Sequence, residues 1–161
     1  MLYRSAPLHD IGKVGLTDGI LLKPARLSDE EYDAMKDHAT LGGDALGWAE
    51  ERLGSNSFLQ FAREICYCHH ERWDGTGYPR GLAGENIPVS ARLMALADVY
   101  DALRSARPYK PAWPHAKARK HIVEERGRHF DPAVVDAFVV IEERFRSISK
   151  SVRDGNADDP D

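Results

Sequence analysis

The stretch His69-His70-Glu71-Arg72-Trp73-Asp74-Gly75-Thr76-Gly77-Tyr78-Pro79 sets two adjacent imidazoles against a segment dense in glycine, with a Tyr-Pro at its end. The residues before it, Phe58 to His70, carry Leu59, Ala62, Ile65 and Cys66 at helical spacing and predict a helix with that face inward. From Trp73 to Pro88 the chain holds Gly75, Gly77, Gly81 and Gly84 with Pro79 and Pro88, which predicts a long irregular loop. Loops of this length are either functional or disordered, and the aromatic content of this one argues for function. A helix that delivers two histidines into a shaped loop suggests a metal centre beside a ligand-binding segment.

Outward from that stretch the pattern stays helical. Upstream, a short helix is expected from Pro7 to about Lys13, followed by a loop to Leu27. Ser28 followed three residues later by Glu31 reads as a capping box, opening a helix that reaches about Gly47 with Tyr32, Met35, Ala39 and Leu46 on one face. Downstream, Pro88-Val89-Ser90 opens an apolar helix, Ala91 to Leu103, and another is expected from near Pro114 to Arg126-Gly127. Asp131-Pro132 is a cap followed by a first-turn proline, leading into Val134, Val135, Phe138, Val139 and Ile141. No alternating strand pattern and no repeat occurs. The expected architecture is all-α, one helical domain over residues 1–150 with an acidic, disordered tail over 151–161.

Composition narrows the function classes. The chain has 161 residues, 42% hydrophobic and 30% charged, as in a globular domain with its own core. A formal net charge of −4 lacks the basic footprint of a polymeric nucleic-acid binder. No segment approaches the roughly 20 apolar residues that span a bilayer, and the first residues lack the apolar core of a secretory signal. Cys66 and Cys68 would point to nearly opposite sides of a helix, so they read as free thiols of a reducing compartment, the cytoplasm.

The remaining donors make the chemistry more specific. His9, Asp10 and Lys13 bring an imidazole, a carboxylate and an amine within five residues. Adjacent His9 and Asp10 diverge by about 100° on a regular helix, which suits two neighbouring metals better than one. Lys13 can approach the same edge and hold a phosphate oxygen or assist a leaving group. The plain alternative is ordinary helix capping. His38, taken singly, is more often a hydrogen-bonded core residue, whereas His69-His70 reads equally as a surface pair or as ligands. Asp98 interrupts the apolar run Leu93 to Val99, where an ionised carboxylate needs a cation or dense hydrogen bonding, either a metal or an arginine such as Arg92 or Arg107. His115 and His121 read as exposed, and His129, just before the Asp131 cap, as structural.

Mixed imidazole and carboxylate ligation suits iron, manganese or zinc rather than calcium or magnesium. Two such ions can clamp both oxygens of an in-line phosphoryl displacement. Arg107 and Lys110, just beyond the Asp98 helix, suit phosphate recognition, or else form a solvated basic turn. Neither a P-loop nor a dinucleotide fingerprint is present.

Assembled, these residues closely resemble the HD-GYP family of cyclic di-GMP phosphodiesterases, from about Leu8 to Phe138. The segments that carry the resemblance, in family order, are Leu8 to Lys13, Leu22-Lys23-Pro24, Met35 to His38, His69 to Pro79, Ile87-Pro88, Ala91-Arg92, Ala97 to Leu103, Arg107 to Lys110 and Phe130-Asp131-Pro132. The resemblance implies an HD-type helical bundle that hydrolyses cyclic di-GMP to pGpG or GMP. It implies that His9, Asp10, His38, His69, His70 and Asp98 bind two or three divalent ions, often iron or manganese. Lys13 would assist near the scissile phosphate, Arg107 and Lys110 would hold phosphates, and Gly77, Tyr78 and Pro79 would shape the substrate loop, which in some relatives also contacts diguanylate cyclase domains. Family members usually carry an upstream receiver or sensor domain. They also have a helix before the HD motif bearing a further metal-binding histidine, whereas only eight residues precede His9 here. A second cyclic dinucleotide as substrate, or a catalytically silent module that binds cyclic di-GMP or a cyclase, are the competing expectations.

Overall fold

The structure is a computed structural model that describes residues 2–54, 56–106 and 111–155, with side chains through Ser151. Among these residues there are seven α-helices and no strand. Arg107 and Lys110, and the end of the expected tail from residue 156, lie outside the described residues. The chain forms two compact units, Met1–Ala95 and Leu96–Asp161. No composition shift marks that division, because one helix, Val89–Arg104, runs through it.

The first unit begins with α1 (Leu2–Ser5) and a 3-10 turn (Ala6–Leu8), then a second 3-10 turn (Ile11–Gly15). The single opening helix expected over Pro7 to Lys13 is therefore replaced by two tight turns meeting at His9-Asp10. Glycines at 12 and 15 weaken any longer α-helix there. The expected loop to Leu27 contains α2 (Asp18–Leu21). α3 (Asp29–Leu53) starts at the expected capping box: Glu31 N donates to Ser28 Oγ at 3.2 Å and Ser28 N donates to Glu31 Oε2 at 2.7 Å. It passes Gly47 and ends at Gly54, whose φ of 83° only glycine adopts readily. α4 (Ser57–Cys68) is capped by Asn56, which accepts from Leu59 N at 3.0 Å. Leu59, Ala62, Ile65 and Cys66 are buried as expected. Leu46 packs with Leu59, Ala62 and Cys66, and Leu8 and Phe58 cover them.

The loop after α4 is irregular apart from a 3-10 turn at Gly84–Asn86, and it is anchored by Ile87 and Leu82 against Cys68 and Ala91. α5 (Val89–Arg104) follows.

The second unit contains the C-terminal part of α5, α6 (His115–Glu124) and α7 (Pro132–Gly155). Its core is Leu96, Tyr100, Leu103, Ala118, Ile122, Phe130, Val135 and Phe138. Asp131 caps α7, accepting from Ala133 N at 2.8 Å. α7 continues to Gly155, so helical backbone covers 151–155, the first part of the segment expected to be disordered. His115 and His121 are half-buried rather than exposed: His115 Nδ1 meets Tyr100 Oη at 3.0 Å and His121 sits edge-on to Trp113. Both lie on the side of α6 that carries Ala118 and Ile122 into the core, which is why the solvent assignment fails. His129 stacks on Phe130 at 4.2 Å, in keeping with a structural role. No helix is long and apolar enough to cross a membrane among the described residues.

Candidate metal centre

Three segments of the first unit bring the donors together. His9 and Asp10 occupy the junction of the two 3-10 turns, with Asp10 at φ −102° and ψ 8°, outside the helical region. That break removes the 100° divergence of a regular helix, and His9 Nε2 comes to 3.3 Å from Asp10 Oδ2. The second turn is pressed directly onto α3 at Gly12 and Gly42. A methyl group on Gly12 would lie 2.0 Å from the His38 carbonyl oxygen and 2.4 Å from Gly42 N. Glycine at both positions thus sets how closely Asp10 approaches His38.

His38, buried on α3, meets the Met35 carbonyl through Nδ1 at 2.7 Å. His69, buried just past the last turn of α4, meets the Ile65 and Cys66 carbonyls through Nδ1 at 2.9 and 3.2 Å. His9 does the same with the Ala6 carbonyl at 2.9 Å. A carbonyl can only accept, so each Nδ1 donates and Nε2 is the ring atom left to face the site: in His9 it is the atom toward Asp10, and in His38 and His69 it is the atom available to a metal ion. In His38 and His69 that Nε2 is buried and hydrogen-bonded to nothing. These two atoms stand 3.5 and 4.0 Å from Asp10 Oδ1. The donor atoms of His38, His69 and His70 lie within 4.8 Å of one another.

Lone pairs facing a carboxylate in a buried space repel unless a cation sits among them. Protons do not fill that role at neutral pH. Burial pushes the His69 imidazolium down to about 4, against the weaker pull of the Ile65 carbonyl. Burial, with His69 and His38 beside it, pushes His70 down to about 2. Burial alone would raise the Asp10 carboxyl, but hydrogen bonds from His9 and Lys13 outweigh it and hold Asp10 far below the usual carboxylate range. Neutral imidazoles and an ionised carboxylate are the states that ligate a divalent transition-metal ion, so the residues present fit such an ion.

The loop closes over one side of this set. The Tyr78 ring stacks on His70, centroids 4.7 Å apart at 27°. Gly77 lets it do so: a methyl there would lie 2.4 Å from Arg72 N and 2.5 Å from the His70 carbonyl oxygen. The peptide between Tyr78 and Pro79 is cis. Lys13 Nζ donates to Asp10 Oδ2 at 2.6 Å. Asp98 is half-buried on α5, in the second unit.

Sequence reasoning missed Glu71. Its carboxylate is 2% exposed and accepts from Arg80 N at 2.8 Å and Leu82 N at 3.0 Å, tying the far limb of the loop to the end of α4. A signal existed: an acidic residue directly after a histidine pair that enters a turn-rich loop needs partners, and the loop amides are candidates. The Gly12–Gly42 contact was also missed, although paired glycines inside α3 cost helix stability and imply a packing reason.

The HD domain family profile matches residues 1–134. A cyclic di-GMP phosphodiesterase of Vibrio cholerae is 60% identical over 154 residues, 96% of this chain and 31% of that protein. A cyclic di-GMP phosphodiesterase of Thermotoga maritima is 45% identical over 150 residues, 93% of this chain and 39% of that protein. A 3'3'-cGAMP-specific phosphodiesterase of V. cholerae is 40% identical over 154 residues, 96% of this chain and 28% of that protein. The chain thus spans about a third of the length of the curated relatives it matches. A crystal structure of a cyclic GMP-AMP specific phosphodiesterase of V. cholerae superposes with a TM-score of 0.60 at 22% identity, over 94% of this chain and 42% of that one, a likeness of fold. With the HD profile over most of its length, and with the His69–Pro79 segment and its relatives in agreement, the chain belongs to the HD domain family, in its HD-GYP group.

Proposed function

We propose that this chain is the metal-dependent phosphodiesterase part of a protein that hydrolyses cyclic di-GMP to linear pGpG or onward to GMP. The observation that carries the reading is the pair of buried, unpartnered Nε2 atoms of His38 and His69 aimed at Asp10. The names of the 60% and 45% identical relatives supply the substrate. His9, Asp10, His38, His69 and His70, with Asp98, are the residues to hold two or three divalent ions. Mixed nitrogen and oxygen donors suit iron, manganese or zinc, and the family resemblance favours the first two. Bound there, such ions supply Lewis acidity toward phosphate oxygens and lower the pKa of water.

The chain's own residues do the rest. Asp10 stays ionised and orients what faces it. Lys13, hydrogen-bonded to Asp10 and half-buried, offers its ammonium to the scissile phosphate or to the leaving oxygen. Gly77, Tyr78 and Pro79 shape the wall beside His70, and Arg107 and Lys110 serve the other phosphate. Water oxygen forms a new bond to phosphorus, the phosphorus–O3' ester bond breaks, and the departing oxygen takes a proton, leaving a 5'-phosphate. A cytoplasmic setting, a sensor or receiver domain upstream, and a diguanylate cyclase domain meeting the Tyr78 loop complete the reading.

The test is to purify the chain, load it with iron(II) or manganese(II), and separate the products of cyclic di-GMP by chromatography. pGpG or GMP is expected, and none in Asp10→Asn. Full loading without turnover of that substrate overturns the reading. A second reading, hydrolysis of 3'3'-cGAMP, is favoured by the 40% identical relative, and parallel assays separate the two.

A further inference from the structure

Two residues before His38, α3 carries a group that the chemistry above does not use. Lys36 Nζ lies 4.9 Å from the centre of the Tyr32 ring and 5.7 Å from the centre of the Tyr78 ring. Tyr78 in turn stacks on His70, whose ring is 5.0 Å from that of His38. The ammonium is thus held between an α3 aromatic and the loop aromatic that borders the donor set. Asp33 Oδ1 accepts one of its hydrogens at 2.5 Å, which fixes the side chain and leaves two N–H groups for a ligand. Tyr32 is 50% exposed although it sits on the helix face that buries Ala39 and Leu46 further along. A large aromatic left open beside a cation and a metal-ligand cluster is unexplained by packing.

We infer that Tyr32 and Lys36 form a guanine-reading edge, Tyr32 stacking on a purine face and Lys36 donating to guanine O6 and N7. The inference rests on the substrate class proposed above and adds which part of the chain reads the base. The chemistry favours guanine over adenine. A lysine ammonium only donates, and guanine presents two acceptors on that edge where adenine presents one acceptor and a donor. The tyrosine platform is tolerant of either base, because both have a π-face. Affinity is therefore assigned to Tyr32 and discrimination to Lys36. Neither residue is a donor to the ion cluster, so their effects fall on binding rather than on the chemical step.

Steady-state kinetics of wild type, Tyr32→Ala, Tyr32→Phe and Lys36→Gln on cyclic di-GMP and 3'3'-cGAMP test this. Tyr32→Ala is expected to raise KM for both substrates about tenfold with kcat kept, and Tyr32→Phe to restore it. Lys36→Gln is expected to cut the preference for the two-guanine substrate by about tenfold, within the range of a base-edge contact. Kinetics within twofold of wild type in Tyr32→Ala and Lys36→Gln overturn the inference. Equilibrium titration of the metal-free chain with GMP and AMP reads the same edge without turnover. Tighter GMP binding that Lys36→Gln abolishes supports the edge even where hydrolysis is absent, and equal binding of GMP and AMP overturns it even where hydrolysis is present.

Discussion

Gly12 and Gly42 touch backbone to backbone, with no side chain between the 3-10 turn that carries Asp10 and Lys13 and the helix that carries His38. The two contacts are not equivalent. A methyl on Gly12 meets main-chain atoms at 2.0 and 2.4 Å, whereas one on Gly42 meets Gly12 N at 3.0 Å and the Ile11 side chain at 3.3 Å. Main-chain atoms of a capped helix cannot rotate away, so the first clash is relieved only by moving the turn.

Gly12→Ala is therefore expected to displace Asp10 from His38 and to destabilise the fold by about 1–3 kcal/mol. A shift of order 1 Å at Asp10 would lower turnover by about a hundredfold. Gly42→Ala is expected to be milder, since the helix gains about 1 kcal/mol of propensity against a softer contact. Urea denaturation and metal content of both variants check the ranking, and equal effects contradict it.

Glu71 makes a separable prediction. Glu71→Gln replaces one carboxylate oxygen by an N–H₂ group facing an amide donor. The loss is expected at about 1–3 kcal/mol, the cost of a buried donor left unpaired. Because its partners are Arg80 N and Leu82 N, the loop should loosen while the His38 and His69 positions persist. Faster amide exchange at Arg80 and Leu82, with metal content retained, is the expected pattern. Unchanged exchange at both amides would refute it.

The helical architecture was legible because its signals are local. The Ser28–Glu31 box, the Asn56 and Asp131 caps and the apolar spacing of α4 each act within a few residues. The donor residues were legible as residue types in a recognisable order. What could not be read was contact between distant backbones. The Gly12–Gly42 approach joins residues on different elements. Glu71 stands within the motif without a legible role, because its partners are main-chain amides whose positions exist only once the loop is folded. The His115 and His121 assignments failed for the same reason: their partners, Tyr100 on α5 and Trp113 before α6, lie outside α6.

Lys13 distinguishes charge supply from ligation. Its ammonium is bonded to Asp10 rather than pointing among the imidazoles. Lys13→Met is expected to keep divalent ions bound while lowering kcat by about a hundredfold, the scale of a positioned proton or charge donor. Asp10→Asn is expected to lose the ions and activity. If Lys13→Met also empties the site, Lys13 acts by holding Asp10 in place and the separate role is refuted.

Acidity offers a test that needs no substrate. In the metal-free chain burial holds His69 at about 4 and His70 at about 2, below the 6.5 of an exposed imidazole. The unfolded chain therefore binds protons below pH 6.5 that the folded chain refuses, so stability is greatest above that pH and falls as acidity increases. The His69 contribution is lost progressively from pH 6.5 down to about 4, and that of His70 continues to lower pH. Asp10, with its carboxyl held low by His9 and Lys13 against burial, works in the same direction below 3.8. Urea midpoints of the metal-free chain should drop between pH 7.5 and pH 5, and the drop should shrink in His69→Gln, which has no imidazole to titrate. A midpoint that stays flat or rises over that interval would mean that His69 and His70 are charged in the folded chain and have no lone pairs to offer a metal ion.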